Sequence, residues 1–418
     1  MRERPVGPLA LLALGVNGIV GVGIFFIPAA LGQLTPGASG ILVFAITAAA
    51  LVPVALVFAT LARRFEEDGG PVLFARAAFG EGVSFLVGWV AYVSAILSTS
   101  AVMSGLMTAL SPGLGLDGPL EKRLALATLV TVLALVVATG IKVSAFAWTT
   151  LTFLKLLPLL ALVTLFLATA PALSLPSAAA AQAPSASAWA RAILTALFAC
   201  QGFEIVPVIA GQVRSPQRFV PFATVGSLVF SCVLYVGLMW ACVATLPDLA
   251  QAKAPLADAG RGLGGPGFGS VIALGTSISA LGICFGMMVT TPRYLSALAA
   301  GGRRLFELDR FAANGVPMRA VVVTWSLVML VVQGGDLSEL FAMSSLAVVT
   351  QFSVTAAALF ALAWRRERGL GARHALLAVP AFALGLYLAA GGATWNEVLA
   401  SLVALAVGLG LFATSRPR

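Results

Sequence analysis

Residues 15–28, GVNGIVGVGIFFIP, place four glycines and Asn17 ahead of Pro28, inside an apolar run that extends from about residue 9 to 33. A run of that length and character predicts a membrane-spanning helix, yet Gly21 and Gly23 each cost a helix ~1 kcal/mol relative to alanine. Two readings stand for the glycines. Small residues let neighbouring helices approach closely, or the helix is broken here. Asn17 and the Gly21-Val22-Gly23 triplet favour the break. Unwound backbone in a bilayer is tolerated only where it is buried in protein or lines a cavity. The freed amides at the start of the second half-helix form a positive dipole end suited to a carboxylate, and the freed carbonyls suit an ammonium group. A zwitterion is the ligand that the two ends select together.

Around this stretch the chain has 418 residues, 60% hydrophobic and only 10% charged, with a mean hydropathy of +1.02, which excludes an ordinary soluble domain. Twelve apolar runs lie at roughly residues 9–33, 39–62, 82–110, 124–140, 144–168, 189–211, 221–246, 269–299, 317–334, 338–364, 374–391 and 396–414. The expected fold class is an all-α polytopic membrane protein with 12 transmembrane helices. No small-residue cleavage site follows the first run, which is read as a retained span. With both termini cytoplasmic, the outer side keeps only Lys122, Arg123, Arg191, Lys253 and Arg261, Lys155 lies within a span, and the rest of the 25 basic residues fall inside. That asymmetry fits the positive-inside rule and places the chain in the cytoplasmic (inner) membrane.

The net charge of +9 is spread over short loops facing anionic lipid, so no nucleic-acid partner is expected. Cys200, Cys232, Cys242 and Cys284 lie in spans without metal-ligand spacing, and His374 is the only histidine, so no metal site and no cofactor are expected. Intramembrane hydrolysis would need a Ser/His pair, an Asp pair or metal ligands within the spans, and the spans offer none; the chain is not read as an enzyme.

Residues 169–188 are rich in Ala, Pro and Ser without a charge, the composition of an external linker. They divide a single transmembrane unit, 1–418, into a first repeat of helices 1–5 over 9–168 and a second of helices 6–10 over 189–364. Helices 11 and 12 follow over 374–414. The first helix of each repeat carries a polar, glycine-bearing interruption, NGIVGVG in one and CQGFE in the other. Matching interruptions in corresponding helices point to an inverted-repeat secondary transporter with its site at the midplane. Five helices being odd, the second repeat enters from the opposite side.

GIVGVGIFFIP, GGPVLFARAAFGEGVSFLVGW, LKLLPLL and FACQGFEIVPVIAGQVRSPQRFVP, in that order and over nearly the whole chain, resemble the amino acid-polyamine-organocation transporters. The resemblance implies the LeuT-like 5+5 inverted repeat with broken helices 1 and 6, plus two carboxy-terminal helices. It implies a substrate carboxylate at the amides of Val22, Gly23 and Ile24, across Gly21. The substrate amine would meet the carbonyls of Ile19, Val20, Phe198 and Gln201, beside Gly202 and Phe203, with Phe198 as an aromatic lid. Val22 stands where relatives often carry Ser or Thr, and Gln201 where an apolar residue is usual.

Charges within spans are costly and commonly functional. Lys155 lies about 16 Å along its helix from Ser144, near the midplane. It is either half of a structural ion pair or, as the resemblance implies, stands where sodium-coupled relatives of this fold bind an ion between the first and eighth helices. In the second reading its proton replaces sodium. Charged, it would hold the outward-facing arrangement, and Ser279 on the eighth helix is its expected partner. Glu204 reads equally as a second proton site or gate and as a carboxylate bonding unwound backbone.

The expected function is secondary active transport of a small-molecule amino acid, neutral and apolar because the pocket offers no acid beyond Glu204 and has neighbours such as Val22 and Cys200. Protons and membrane lipids are the other partners, with no sodium requirement. Exchange, export and transport of polyamines or cationic amino acids are the alternatives of the same fold; a non-transporting receptor or a channel is the alternative of a different class.

Overall fold

The computed structural model describes residues 6–21, 23–67, 69–111, 113–140, 145–169, 184–300, 303–304, 307–334 and 337–417. The first apolar run forms two helices, α1 (Pro8–Ile19) and α2 (Gly23–Leu34), separated by the Val20–Gly21 segment and Val22, which lies outside the described residues. Then come α3 (Ala38–Ala62), the short α4 (Pro71–Phe79), α5 (Glu81–Leu110), α6 (Pro119–Ala138) and α7 (Ala145–Thr169). The second series opens with α8 (Ala186–Cys200), continued after Gln201 and Gly202 by a 3-10 helix, Phe203–Gln212. It goes on through α9 (Pro216–Thr245), α10 (Pro255–Ala300), α11 (Met318–Gly334), α12 (Leu337–Trp364), α13 (Ala372–Gly391) and α14 (Trp395–Thr414).

Hydrophobicity alone places these helices, because almost every face of each is apolar. What distinguishes the faces is residue size and polarity. Tyr92, Tyr235, Phe44, Phe58, Phe74 and Phe203 are fully buried, whereas Leu330, Leu386 and Val233 are among the exposed large side chains, which mark surface suited to lipid. α3 lies along α9, α12 packs between α5 and α13, and α1 rests on α9.

Among the described residues ten stretches are long and apolar enough to cross a membrane, which makes this a multi-pass membrane protein. The two remaining expected spans correspond to α6 and α11. Glu121, Lys122 and Arg123 crowd the start of α6, and α11 has only 17 residues. Most of the expected external linker, 170–183, lies outside the described residues.

Two differences from the sequence reading have local causes. The amino-terminal part of α10 lies in what reads as a loop before residue 269; at Gly265, φ 79° and ψ −180°, the backbone is not helical, so α10 is two helical pieces joined at a kink that glycine permits. The GGPVLFARAAFG stretch is partly helical as α4, started by Pro71 after Gly69 and Gly70, both at positive φ. Near the start of α8, Arg191 Nη1 lies 2.7 and 2.6 Å from the two carboxylate oxygens of Glu397 in the first turn of α14, and 3.3 Å from Gly392 O.

Candidate functional site

The two interruptions meet. Gly202 has φ 123°, a conformation that L side chains rarely adopt, and a Cβ there would sit 2.4 Å from the carbonyl oxygen of Gly18. A Cβ on Gly23 would come within 2.8 Å of Ala199 Cα. Glycine is required at both places because backbone runs against backbone, so the close-packing and broken-helix readings of these residues describe one arrangement. Breaking α1 frees carbonyls that a continuous helix would use, and buried carbonyls need donors.

Those donors come from neighbouring helices. The Tyr235 hydroxyl on α9 donates to Ile19 O at 2.8 Å. Lys155 on α7, only 5% exposed, donates to Asn17 O at 3.0 Å and also to Val20 O. No carboxylate among the described residues lies within ion-pairing distance of this ammonium, so carbonyl oxygens take the place of a counter-ion. Ile19 O and Val20 O, the carbonyls that the resemblance assigns to a substrate amine, each keep a second lone pair. Ile24 is fully buried at the start of α2, where helix geometry leaves the first amides without intrahelical acceptors.

Ser279 lies on α10 beside the same region. It lines, with Lys155 and Asn17, a cavity of about 460 Å³ between α7 and α10 whose other walls include Leu157, Leu274 and Ile283. The Ser279 hydroxyl is buried and makes no hydrogen bond, so the lysine is held by α1 and not by this serine. Gly21 faces Ile283 from the α1 side.

The second interruption is satisfied differently. Glu204 Oε2 accepts from the Gly202 amide at 2.7 Å, so the carboxylate caps the break in its own strand of chain. From the same break, Gln201 Nε2 donates to Ser98 Oγ on α5 and to Ser344 Oγ on α12, each at 3.1 Å, and those two hydroxyls are 2.6 Å apart. Gln201 Oε1 is buried and unpartnered. Phe198 and Phe341 have ring centroids 4.4 Å apart, whereas Phe203 packs between Phe58 and Phe352 in the core.

Tyr235, Ser98 and Ser344 were not singled out in the sequence. Tyr235 carries a signal of its own, since a phenol in a span needs a hydrogen-bond partner. The run SAILSTSAVMSG, residues 94–105, is another, being unusually rich in hydroxyls for an apolar helix. Ser344 stands in no such run.

Two broken spans packed at their interruptions, with carbonyls and amides freed inside a helical membrane protein, define the class of broken-helix membrane transport folds. The family profile described as amino acid permease matches residues 6–416, and the chain belongs to that family, within the amino acid-polyamine-organocation superfamily. An uncharacterised transporter of Mycobacterium tuberculosis is 26% identical over 426 aligned positions, covering 99% of this chain and 92% of that protein. A putative arginine/ornithine antiporter of Escherichia coli is 25% identical over 436, covering 99% and 93%. A vacuolar cationic amino acid transporter of Arabidopsis thaliana is 26% identical over 367, covering 83% of this chain and 58% of that protein. Among solved structures, MhsT in complex with L-phenylalanine has a TM-score of 0.63 at 16% identity, covering 93% of this chain and 98% of that one, a likeness of fold.

Proposed function

We propose that the chain is a secondary active carrier of neutral amino acids in the cytoplasmic membrane, with both termini cytoplasmic, coupled to protons and independent of sodium. The observation that carries the reading is the Lys155 ammonium on the carbonyls of the broken α1. A cation held there by backbone oxygens does what a bound metal cation would do, and unlike a metal it can come and go as a proton. Loss of that proton removes the positive charge from both hydrogen bonds and loosens α1 from α7, a change in a two-state equilibrium that the proton gradient can drive.

A zwitterion suits the freed backbone ends, and Ile24, Phe198 and Cys200, next to the two breaks in sequence, are buried apolar residues. Neutral side chains are favoured because Glu204, the acid at the break, is already engaged with the Gly202 amide. The names of the relatives from Escherichia coli and Arabidopsis favour a second reading, a carrier or exchanger of cationic amino acids, in which Glu204 would turn from the amide to the substrate.

The test is uptake into proteoliposomes. Wild type is expected to concentrate a neutral amino acid under an acid-outside pH gradient, with or without sodium, and Lys155→Ala is expected to lose that accumulation while still binding substrate. Equal accumulation by the variant, or a sodium requirement in wild type, overturns proton coupling through Lys155. Binding of arginine, lysine or putrescine with no response to neutral amino acids establishes the second reading instead.

A further inference from the structure

The cavity beside Lys155 has an apolar mouth and a polar floor. α7 and α10 touch at Gly275, where a Cβ would come within 2.8 Å of Pro158 Cγ. Around that crossing the cavity of about 460 Å³, within the ~300–1,000 Å³ usual for small-molecule sites, is walled by Leu154 and Leu157 of α7 and by Val271, Leu274 and Ile278 of α10. These five side chains are between 41% and 63% exposed, so the cavity opens on the apolar surface suited to lipid. It stays open over Gly282 of α10, where a Cβ meets nothing within 4 Å.

Inside, the chemistry changes. Lys155 and Ser279 are only 5% and 4% exposed. Lys155 is the one charged residue lining the cavity, and two of its three N–H donors are taken up by carbonyls of α1. Its charge has no carboxylate within ion-pairing distance among the described residues. The Ser279 hydroxyl, on the α10 wall, makes no hydrogen bond. A membrane's acyl chains are as apolar as the walls, so burying a chain here gains little over leaving it in the bilayer, and the polar end decides what binds. A carboxylate suits that end. It supplies the countercharge, accepts from the remaining N–H of Lys155 and has a second oxygen for Ser279. An amine would meet like charge, and a free amino acid would leave its own ammonium among apolar side chains.

We propose that this cavity is a lateral site for a single-chain fatty acid, entered from the bilayer, with its carboxylate on Lys155 and Ser279 and its chain between α7 and α10. The inference does not depend on which amino acid the protein carries or on proton coupling.

Hexadecanoic acid and its methyl ester are the probes, having one chain and different ends. Binding to protein purified in an uncharged detergent is compared as ratios between variants, because uptake by the micelle is common to all of them. Wild type is expected to bind the acid more tightly than the ester. Lys155→Met is expected to weaken the acid at least about tenfold, or about 1.4 kcal/mol, and to leave the ester unchanged. Ser279→Ala is expected to weaken the acid roughly three- to tenfold. Gly282→Leu, which fills the cavity without entering the contact at Gly275, is expected to abolish specific binding of the acid while keeping the wild-type melting temperature. Those two α10 variants keep the test usable if Lys155→Met fails to fold. A fatty acid with a photoreactive diazirine on its chain is expected to label Leu157 or Leu274. Ester binding as tightly as acid in wild type means a groove for any acyl chain and overturns the site. Acid binding that survives Gly282→Leu, or label confined to other helices, overturns it as well.

Discussion

The two breaks solve one physical problem in opposite ways. At the end of α1 the freed carbonyls of Asn17, Ile19 and Val20 take donors from other helices, Lys155 of α7 and Tyr235 of α9. At the end of α8 the Gly202 amide takes its acceptor from Glu204, two residues further along. The first break therefore reports on where its neighbours are, and any sliding of α7 or α9 strips carbonyls of their partners. The second caps its backbone amide from its own chain segment, and its ties to other helices, from Gln201 to Ser98 and Ser344, run through a side chain. In a fold whose work depends on rearranging helices, the externally satisfied break is the one suited to sensing and the internally satisfied one the one suited to moving.

Three substitutions press on this contrast. The largest effect is expected from Gly202→Ala, which sets a Cβ against the Gly18 carbonyl at a φ of 123° and so strikes both breaks at once. It should lower the stability of the detergent-solubilised protein by at least about 3 kcal/mol, measured by denaturant titration. A variant that melts with wild type would mean that the breaks are not in the contact described. Tyr235→Phe removes one donor from outside the first break and leaves Ile19 O short of a partner. A loss of about 1 kcal/mol is expected, read as a lower melting temperature. The smallest effect belongs to Glu204→Gln, because the new side chain still offers an oxygen to the Gly202 amide; less than about 1 kcal/mol should be lost. If Glu204→Gln proves more damaging than Tyr235→Phe, the second break depends on the charge and the proposed self-sufficiency fails.

The same contrast explains what was legible in the sequence. Breaks are written in residue types that oppose helix formation, so Gly18, Gly21, Gly23 and Gly202 could be read directly, as could the anomalous charges Lys155 and Glu204. The resemblance added which backbone groups are expected to face a substrate. The hydroxyls that accept from Gln201 were less legible, because a serine within an apolar span is cheap and common, and nothing local tells Ser344 from a hydroxyl bonded to its own helix, as Thr47 is to Val43 O. Ser279 shows the converse. It has the expected place beside Lys155, but the ammonium reaches past it to α1, where free carbonyls are stronger acceptors than a hydroxyl. The kink of α10 at Gly265 was hidden because the glycine-rich stretch before residue 269 reads as loop, although the chain is helical on both sides of Gly265.

The pairing of Arg191 with Glu397 has a consequence in time. The two are 206 residues apart, and at 5–20 residues per second the arginine is made roughly 10 to 40 s before its carboxylate. During that interval the guanidinium near the start of α8 lacks the partner that later embraces it with both oxygens, and water or lipid phosphate is the available substitute. Glu397 arrives on α14, where its carboxylate also accepts from the Thr394 amide and where it is 3% exposed in its final place. Synthesis of α14 is thus the moment at which the helix carrying the second break gains its tie to α14, so the order of translation sets the order in which these two helices lock.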